Sequence, residues 1–393
     1  MRTIGTQVRG IRIPIIKEGD DLAEIVVNYL KKSWEHENYE LKDNDVVGVT
    51  ESIVARAQGN YIDIDDIKEE INQKLASDEI GIVFPILSRN RFSMILKGIA
   101  KSKKKIYIQL SYPNDEVGNP LLEEEEMVKQ GFNPYTDTIN EEEYYNYFGN
   151  FKHPFTGVNY VDLYKEIAQD TEIEVLLSNR PETILEYTKH VIAADIHTRF
   201  KTKNKLKEKG VEKVIGLDDI CNEDKGKGYN EEYGLLGSNK ASDTELKLFP
   251  RDGQILVNKI QKKLKEMTGK HVEVMIYGDG AFKDPVAKIW ELADPVVSPA
   301  YTSGLEGTPS EVKIKYLADN DLSHLEGEKL LNSMKEEIKN KEEDLVANIK
   351  SQGTTPRRLT DLLGSLCDLA SGSGDKGTPV ILIQGYFDNL ADE

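Results

Sequence analysis

The stretch His271–Pro285, HVEVMIYGDGAFKDP, changes from a strand pattern to a loop pattern. Its first half alternates and is β-branched, which predicts a strand that Gly278 and Gly280 end abruptly. Asp279 then lies on a loop at the strand end, where flanking glycines let a ligand approach the backbone. Asp284 follows in the same loop, and paired carboxylates suit a hard divalent cation that shares its oxygen ligands with phosphates. An ordinary exposed turn explains the same residues, since Asp and Gly are common in turns.

Length and composition indicate a large, acidic globular protein. The 393 residues exceed what one core usually organises, which predicts two or more domains. The net charge of -18 argues against a nucleic-acid surface but leaves nucleotides open, since a metal ion supplies positive charge locally. No apolar run is long enough to span a bilayer and the N-terminus lacks a signal-peptide core, so we expect a cytoplasmic location. Cys221 and Cys367 are the only cysteines, which excludes a disulfide framework.

Several polar residues beside predicted strand ends are candidates for binding an anionic ligand. Thr50 ends the predicted strand Asp45–Thr50, where the chain passes into a helical turn. Arg89 and Arg91 follow a buried-type strand at Gly81–Leu87. Arginine pairs with phosphate or carboxylate in a planar, bidentate way that lysine cannot match. The two arginines are equally well explained as exposed charges, and Thr50 as an ordinary strand end.

The middle of the chain predicts a small parallel α/β unit. Lys105–Leu110, Glu172–Leu177 and Val211–Leu217 have strand patterns, and Glu182–Ala194 is predicted as a helix between the last two. Strands that alternate with helices in this order favour a parallel sheet.

The pair Asp195 and His197 within that unit invites a catalytic interpretation. Neighbours at a spacing of two do not share a helix face, so a structural histidine is the better interpretation. The sequence contains no GxSxG, no Walker A motif and no GxGxxG after a strand. The standard hydrolase, P-loop and Rossmann signatures are therefore excluded.

Segments at both ends of the chain carry a resemblance to a known family. They are Gly10-Ile11, Gly19–Leu22, Asp45–Thr50, Ile53–Gly59, Ser238-Asn239, Leu248–Asp252, the strand ending at Asp279, and Leu359–Gly385. In order and approximate spacing they resemble the coenzyme F-420:L-glutamate ligases. The resemblance covers roughly residues 1–100 and 228–393, and the stretch between them resembles an inserted domain.

The resemblance implies an α+β fold, a mixed α/β scaffold split by an inserted small α/β domain with a parallel sheet. The expected divisions are 1–102 for the N-terminal ligase-like part, 103–226 for the insertion and 227–393 for the C-terminal part. The long insertion also suggests an acid substrate different from that of the compact family members.

The resemblance also implies a chemistry. Family members use GTP and a divalent metal to activate a substrate carboxylate as an acyl phosphate, which they join to the amine of L-glutamate. For this chain we expect GTP or ATP, Mg²⁺ or Mn²⁺, and a homodimer. Asp279 matches a family metal ligand, and Asp284 is expected beside it. The residues expected to bind the nucleotide are Thr50, Arg89, Arg91, Ser238 and Asn239; no catalytic residue is assigned.

Two departures from the family pattern define a second hypothesis. Leu236 stands where compact members carry an aspartate, and Glu51-Ser52 stands where they carry Ser-Lys after the threonine. The alternative to a ligase is a non-catalytic nucleotide- or metabolite-binding relative that kept the scaffold and lost one metal site.

Overall fold

The computed structural model describes residues 3–168, 171–280, 294–342, 345, 348–351, 357–372 and 375–392. The strands of these residues, in chain order, are β1 Gln7–Ile11, β2 Val46–Thr50, β3 Tyr61–Asp63, β4 Glu79–Val83, β5 Lys105–Leu110, β6 Glu172–Leu177, β7 His190–Ala193, β8 Lys213–Gly216, β9 Asn239–Lys240, β10 Glu245–Lys247, β11 Glu273–Tyr277, β12 Ala300–Tyr301 and β13 Val380–Gln384.

The helices alternate with these strands along much of the chain. They are α1 Leu22–Glu37, α2 Glu51–Ala57, α3 Ile64–Lys74, α4 Phe92–Ala100, α5 Glu124–Lys129, α6 Glu141–Tyr147, α7 Tyr160–Ile167, α8 Arg199–Glu208, α9 Gly253–Thr268, α10 Ile314–Asp319, α11 Gly327–Lys339 and α12 Leu359–Ser371. The expected α+β class is confirmed.

A five-stranded mixed sheet has the order β1-β13-β2-β11-β12. Its central strands β2 and β11 are parallel, with Thr50 opposite Tyr277, and both are buried. On one face Val49 and Ile276 pack with apolar residues of α1 and α9. On the other face Met275 packs with Leu363 and neighbouring residues of α12. Because both faces are covered, these strands are continuous apolar runs, and their carboxyl ends are directed at one edge of the sheet.

A second five-stranded sheet is parallel throughout and has the order β6-β5-β4-β7-β8. The predicted strands of the middle segment are confirmed, but the helix predicted over Glu182–Ala194 is wrong. Residues Pro181–Glu186 form a 3₁₀ helix, and His190–Ala193 forms β7, which pairs with β4 and β8. An apolar run this short has no distinguishing period, and its place between two strands decides its conformation.

The parallel sheet is separate from the mixed sheet, since the two share no strand among the described residues. It takes β4 from upstream of Lys103, whereas β5 to β8 come from within 103–226. The predicted domain boundary at Lys103 stays a prediction, and the sheet itself begins at Glu79. A three-stranded sheet of order β3-β10-β9 pairs a strand that precedes the middle segment, β3, with two strands that follow it. Its Leu246 shares one apolar core with Ile82 of the parallel sheet.

Within the described part of the chain, no helix combines the length and the apolar character that crossing a membrane requires.

Candidate functional site

The three sheets meet at a group of charged side chains that we call the junction cluster. Its members are Glu51, Arg91, Lys247, Asp279, Asp294 and Asp368. The mixed sheet contributes Glu51 and Asp279 directly after β2 and β11, and Arg91 follows β4 of the parallel sheet. The three-stranded sheet contributes Lys247, on β10. Carboxylates therefore outnumber basic groups at a place where elements from distant parts of the sequence converge.

The Asp294 carboxylate organises the centre of the cluster. Its Oδ1 accepts a hydrogen bond from Arg91 Nη2 at 2.6 Å, and its Oδ2 accepts one from the backbone N–H of Asp279 at 2.8 Å. Both Arg91 and Asp294 are buried. The side chain of Asp279 is 47% exposed, and its Oδ2 lies 4.0 Å from Arg91 Nη2. A buried ion pair thus positions the strand-end loop and presents a more exposed carboxylate beside it.

The ionisation of Asp279 reflects these neighbours. The negative charge of Asp294, followed by burial, raises the pKa of Asp279 to about 7, although Arg91 acts in the opposite direction. A carboxylate that loses its proton only near neutrality is held against another carboxylate without full compensation. A cation bound between such groups relieves that repulsion.

Glu51 and Lys247 form a second buried ion pair at the edge of the cluster. Lys247 Nζ donates to Glu51 Oε1 at 2.9 Å, and both side chains are nearly inaccessible to solvent. Burial raises the pKa of Glu51, and the charge of Lys247 lowers it. Among the described residues, Glu51 Oε2 is buried without a hydrogen-bond partner. This carboxylate therefore retains an oxygen that is free to accept from, or coordinate, a group outside the described chain.

The two glycines that flank Asp279 allow close packing of the loop. A Cβ at Gly278 would lie 2.6 Å from Asp294 Oδ2, and a Cβ at Gly280 would lie 2.8 Å from the Cα of Ser365. The Gly280 N–H donates to Asp368 Oδ2 on α12 at 2.9 Å. Burial raises the pKa of Asp368. The glycines are required here because carboxylate and helix backbone approach the loop on both sides.

The predicted site residues fall into different surroundings. Asp279 and Arg91 belong to the junction cluster, and Asn239 on β9 accepts from Arg91 Nη2 through its Oδ1 at 3.4 Å. Thr50 precedes Glu51 at the end of β2, and its N–H donates to Pro379 O at 3.0 Å.

The other predicted residues lie away from the centre of the cluster or outside the described chain. Ser238 is buried, and its hydroxyl donates to Leu235 O at 2.8 Å within its own turn. Arg89 is exposed on the loop before Arg91. Asp284 lies outside the described residues. Their assignment as metal or nucleotide ligands stays a prediction for every one of these residues.

Sequence reasoning did not select Lys247, Asp294 or Asp368 as site residues, and it treated Glu51 only as a departure from the family pattern. Lys247 lies on a short strand whose alternation resembles that of any edge strand, and Asp368 lies within an amphipathic helix. Neither has a local motif. The one available signal was the rule that the carboxyl ends of neighbouring parallel strands meet, which pairs the residue after β2 with the loop after β11.

The donor chemistry of the cluster fits a divalent metal. Asp279 is partly exposed, Glu51 Oε2 is an unpartnered carboxylate oxygen, and hard cations prefer carboxylate ligands. Among the described residues, no group of three His, Cys, Asp or Glu side chains surrounds a common metal position. A metal site here therefore needs ligands from the substrate or from Asp284, or a rearrangement of the carboxylates.

Comparison with known proteins agrees with the resemblance seen in the sequence. Residues 10–385 match the family model described as F420-0:Gamma-glutamyl ligase. This chain belongs to the F420-0:gamma-glutamyl ligase family. One relative is the coenzyme F420:L-glutamate ligase of Methanothermobacter thermautotrophicus, which is 32% identical over 66 residues. That match covers 16% of this chain and 25% of the relative, so it spans about a quarter of the relative's length.

Proposed function

We propose that this member of the F420-0:gamma-glutamyl ligase family is an amide ligase. It uses GTP or ATP and Mg²⁺ or Mn²⁺ to activate a substrate carboxylate as an acyl phosphate, which it joins to an amino acid such as L-glutamate. Family membership over residues 10–385 supports the reaction class. The observation that carries the proposal is Asp279, a partly exposed strand-end carboxylate held against Asp294 with a pKa raised to about 7.

The cluster offers the two functions that such a reaction needs. A divalent metal bound at Asp279 and the free oxygen of Glu51 would neutralise developing charge on the transferred phosphoryl group. Arg91 keeps Asp294 oriented through its 2.6 Å contact, and Asp294 in turn fixes the backbone of Asp279. Lys247 keeps the buried carboxylate of Glu51 in place.

The proposed reaction has two displacement steps. An oxygen of the acid substrate attacks the γ-phosphorus, and the nucleoside diphosphate leaves. The unprotonated amine of the amino acid then attacks the acyl carbon, inorganic phosphate leaves, and the nitrogen releases its proton to solvent. The close packing of Gly278 against Asp294 and of Gly280 against α12 fixes the loop that carries Asp279, which would hold a metal-binding carboxylate in one position.

A specific feature supports the alternative of a non-catalytic relative. Leu236 is fully buried in the apolar core that contains Leu235 and Leu246, so it contributes no ligand to the junction cluster. A protein with one metal position fewer would bind a nucleotide or metabolite without turning it over.

Nucleotide turnover distinguishes these functions. We expect phosphate release from GTP or ATP that depends on added L-glutamate, measured with Mg²⁺ or Mn²⁺ and with the small molecules that copurify with the protein as acid substrates. Asp279→Asn should reduce this release by about a hundredfold or more, because the lost charge stabilisation is several kcal/mol.

The matched control is Asp243→Asn, which removes a 91% exposed carboxylate from the same protein and should leave turnover unchanged. Asp279→Asn should hardly change the melting temperature. An unchanged rate beside a lowered melting temperature would assign Asp279 to the scaffold and remove the main chemical support for the ligase. Release that does not depend on any amino acid would favour the alternative.

We also propose a cytoplasmic homodimer. Light scattering should then give about twice the 44.3 kDa of one chain. A mass near 44.3 kDa at working concentration would contradict the dimer.

A further inference from the structure

A group of mostly buried polar side chains lies near Arg89, on the loop that also carries Arg91. We call it the His153 pocket and define it by Arg89, His153, Thr156 and Tyr160. His153 is only 2% exposed. Its ring meets the Tyr160 ring edge-on, with centroids 5.8 Å apart.

The backbone fixes the tautomer of His153. The N–H groups of Phe155 and Thr156 both donate to its Nδ1, each at 3.3 Å. Nδ1 is therefore the acceptor nitrogen, and in the neutral ring the proton must lie on Nε2. Burial, followed by the positive charge of Arg89, lowers the pKa of His153, which keeps the ring neutral at pH 7. Among the described residues, this Nε2–H donor is buried with no hydrogen-bond partner.

Two hydroxyl groups extend the set of donors. Burial raises the pKa of the Tyr160 phenol, and a weak side-chain hydrogen bond with Thr156 lowers it. Within the described structure no hydrogen bond of normal geometry satisfies Thr156 Oγ1. Native proteins rarely leave a buried polar group unpaired, so the Nε2–H of His153, next to two hydroxyls that pair only weakly, points to a ligand.

The loop that carries Arg89 is held firmly against this pocket. Tyr164, whose ring lies 5.8 Å from that of Tyr160, accepts from the Ser88 N–H at 3.2 Å and donates to Ile86 O at 3.3 Å. Arg89 is the next residue and is exposed, and its positive charge acts on both His153 and Tyr160. Its guanidinium therefore provides a bidentate donor at the rim of the pocket.

The position in the sheet agrees with a binding site. Arg89 follows β4 at the carboxyl edge of the parallel sheet, and open parallel sheets bind ligands outside the carboxyl ends of their strands. The loop after β4 carries Arg89 toward the pocket and Arg91 into the junction cluster. Two residues span at most about 7 Å, so one short segment contributes a residue to the pocket and a residue to the cluster.

We propose that Arg89, His153, Thr156 and Tyr160 form a binding site for an oxyanion, a carboxylate or phosphate group of the acid substrate. The pocket supplies an imidazole N–H, two hydroxyls and a guanidinium, and these donors match an oxyanion with several acceptor oxygens. The identification of that oxyanion as part of the substrate rests on the proposed ligase function. The binding of an oxyanion at this place does not.

The test is an NMR titration of the full chain without nucleotide or metal, with inorganic phosphate and with acetate as the two probes. The reporter is the His153 Nε2–H resonance, assigned through its contact with the Tyr160 ring. We expect a saturable shift, and we expect Arg89→Ala to weaken the binding by about tenfold or more. The matched control is Lys129→Ala, which removes one positive charge from a 72% exposed side chain of the same unit and should leave the affinity unchanged.

Each outcome decides something. Tighter binding of phosphate or of acetate identifies which group the pocket takes. The absence of a shift with both probes, or equal affinity in Arg89→Ala and the parent protein, would overturn the proposal and leave a water molecule as the partner of Nε2–H. The titration contains no nucleotide, so it can confirm the oxyanion site even if the protein shows no nucleotide turnover. Nucleotide turnover without a shift of His153 would likewise support the ligase and contradict the oxyanion site.

Discussion

The junction cluster and the His153 pocket each contain one residue of the same loop. They differ in whether their buried polar groups have charged partners. In the cluster, Arg91 faces Asp294 and Lys247 faces Glu51, so buried charges are compensated in pairs. In the pocket, His153 Nε2 and Thr156 Oγ1 are buried without such partners in the described chain.

This difference separates two kinds of preorganisation. Paired buried charges are part of the folded structure, and removal of one member leaves the other uncompensated. An unpaired neutral donor costs stability but is available to a ligand from outside the chain. The buried ion pairs of the cluster should therefore respond to mutation mainly through stability, and the pocket mainly through binding.

The strongest test of the cluster is Asp294→Asn. This change replaces the 2.6 Å ionic partner of the buried Arg91 guanidinium by a neutral amide, and the next carboxylate, Asp279, is 4.0 Å away. We expect the free energy of unfolding to fall by about 3 kcal/mol, the lower end of the cost of breaking a buried pair. Urea unfolding at neutral pH measures it.

The control for this prediction is Asp78→Asn, which removes an exposed carboxylate paired with Lys104 at 2.6 Å. Exposed pairs contribute little, so its unfolding curve should almost superimpose on that of the parent protein. Equal effects of the two substitutions would show that the buried pair is not part of the scaffold, and the contrast between cluster and pocket would be lost.

A second test uses pH and a buried carboxylate outside both regions, one that hydroxyl groups hold in place of a cation. Asp195, after β7, is fully buried, and its Oδ2 accepts from the hydroxyls of Thr198 and Thr202, each at 2.7 Å. Burial raises the pKa of Asp195 to about 6. The folded protein therefore keeps a proton that the unfolded chain releases, and stability falls as pH rises from about 4 to about 6.

Asp195→Asn removes this titration. The free energy of unfolding of the variant minus that of the parent protein should be about 2 to 3 kcal/mol larger at about pH 7 than at about pH 4. Urea unfolding at both pH values measures the difference. Asp78→Asn provides a control of opposite sign, since the hydrogen bond from Lys104 lowers the pKa of Asp78 and its stabilisation is lost as pH falls. A pH-independent difference for Asp195→Asn would contradict the assigned ionisation.

Much of the scaffold could be predicted from the sequence. The strands β2, β4, β5, β6 and β11 are predominantly apolar sequences, bounded by glycine, proline or polar residues. The prediction failed at β7, where four residues form a strand only because β4 and β8 lie on either side. Tertiary pairing decided that conformation, and no local pattern records it.

The candidate site was predictable only in part. Asp279 carries a local signal because glycines flank it at a strand end. Lys247 and Asp294 carry none, since each reaches the cluster through contacts with residues far away in sequence: Lys247 pairs with Glu51, and Asp294 with Arg91. The partners of a buried charge follow from the packing of three sheets, and a single sequence does not contain that information directly.

The smallest predicted effect concerns the glycine before Asp279. In Gly278→Ala, the added methyl group would lie 2.6 Å from Asp294 Oδ2, closer than real contacts allow. Two hydrogen bonds hold that carboxylate, so the clash can be relieved only if the loop or the Arg91–Asp294 ion pair shifts. We expect the free energy of unfolding to fall by about 1 to 3 kcal/mol. The matched control is Gly5→Ala, whose Cβ would meet nothing within 4 Å.

Because the shift displaces Asp279 and leaves the His153 pocket untouched, Gly278→Ala should also lower nucleotide turnover without changing the phosphate titration of His153. Equal stability of the two alanine variants would show that the strand-end loop is loose, and the close approach could then no longer explain how the cluster is held in place.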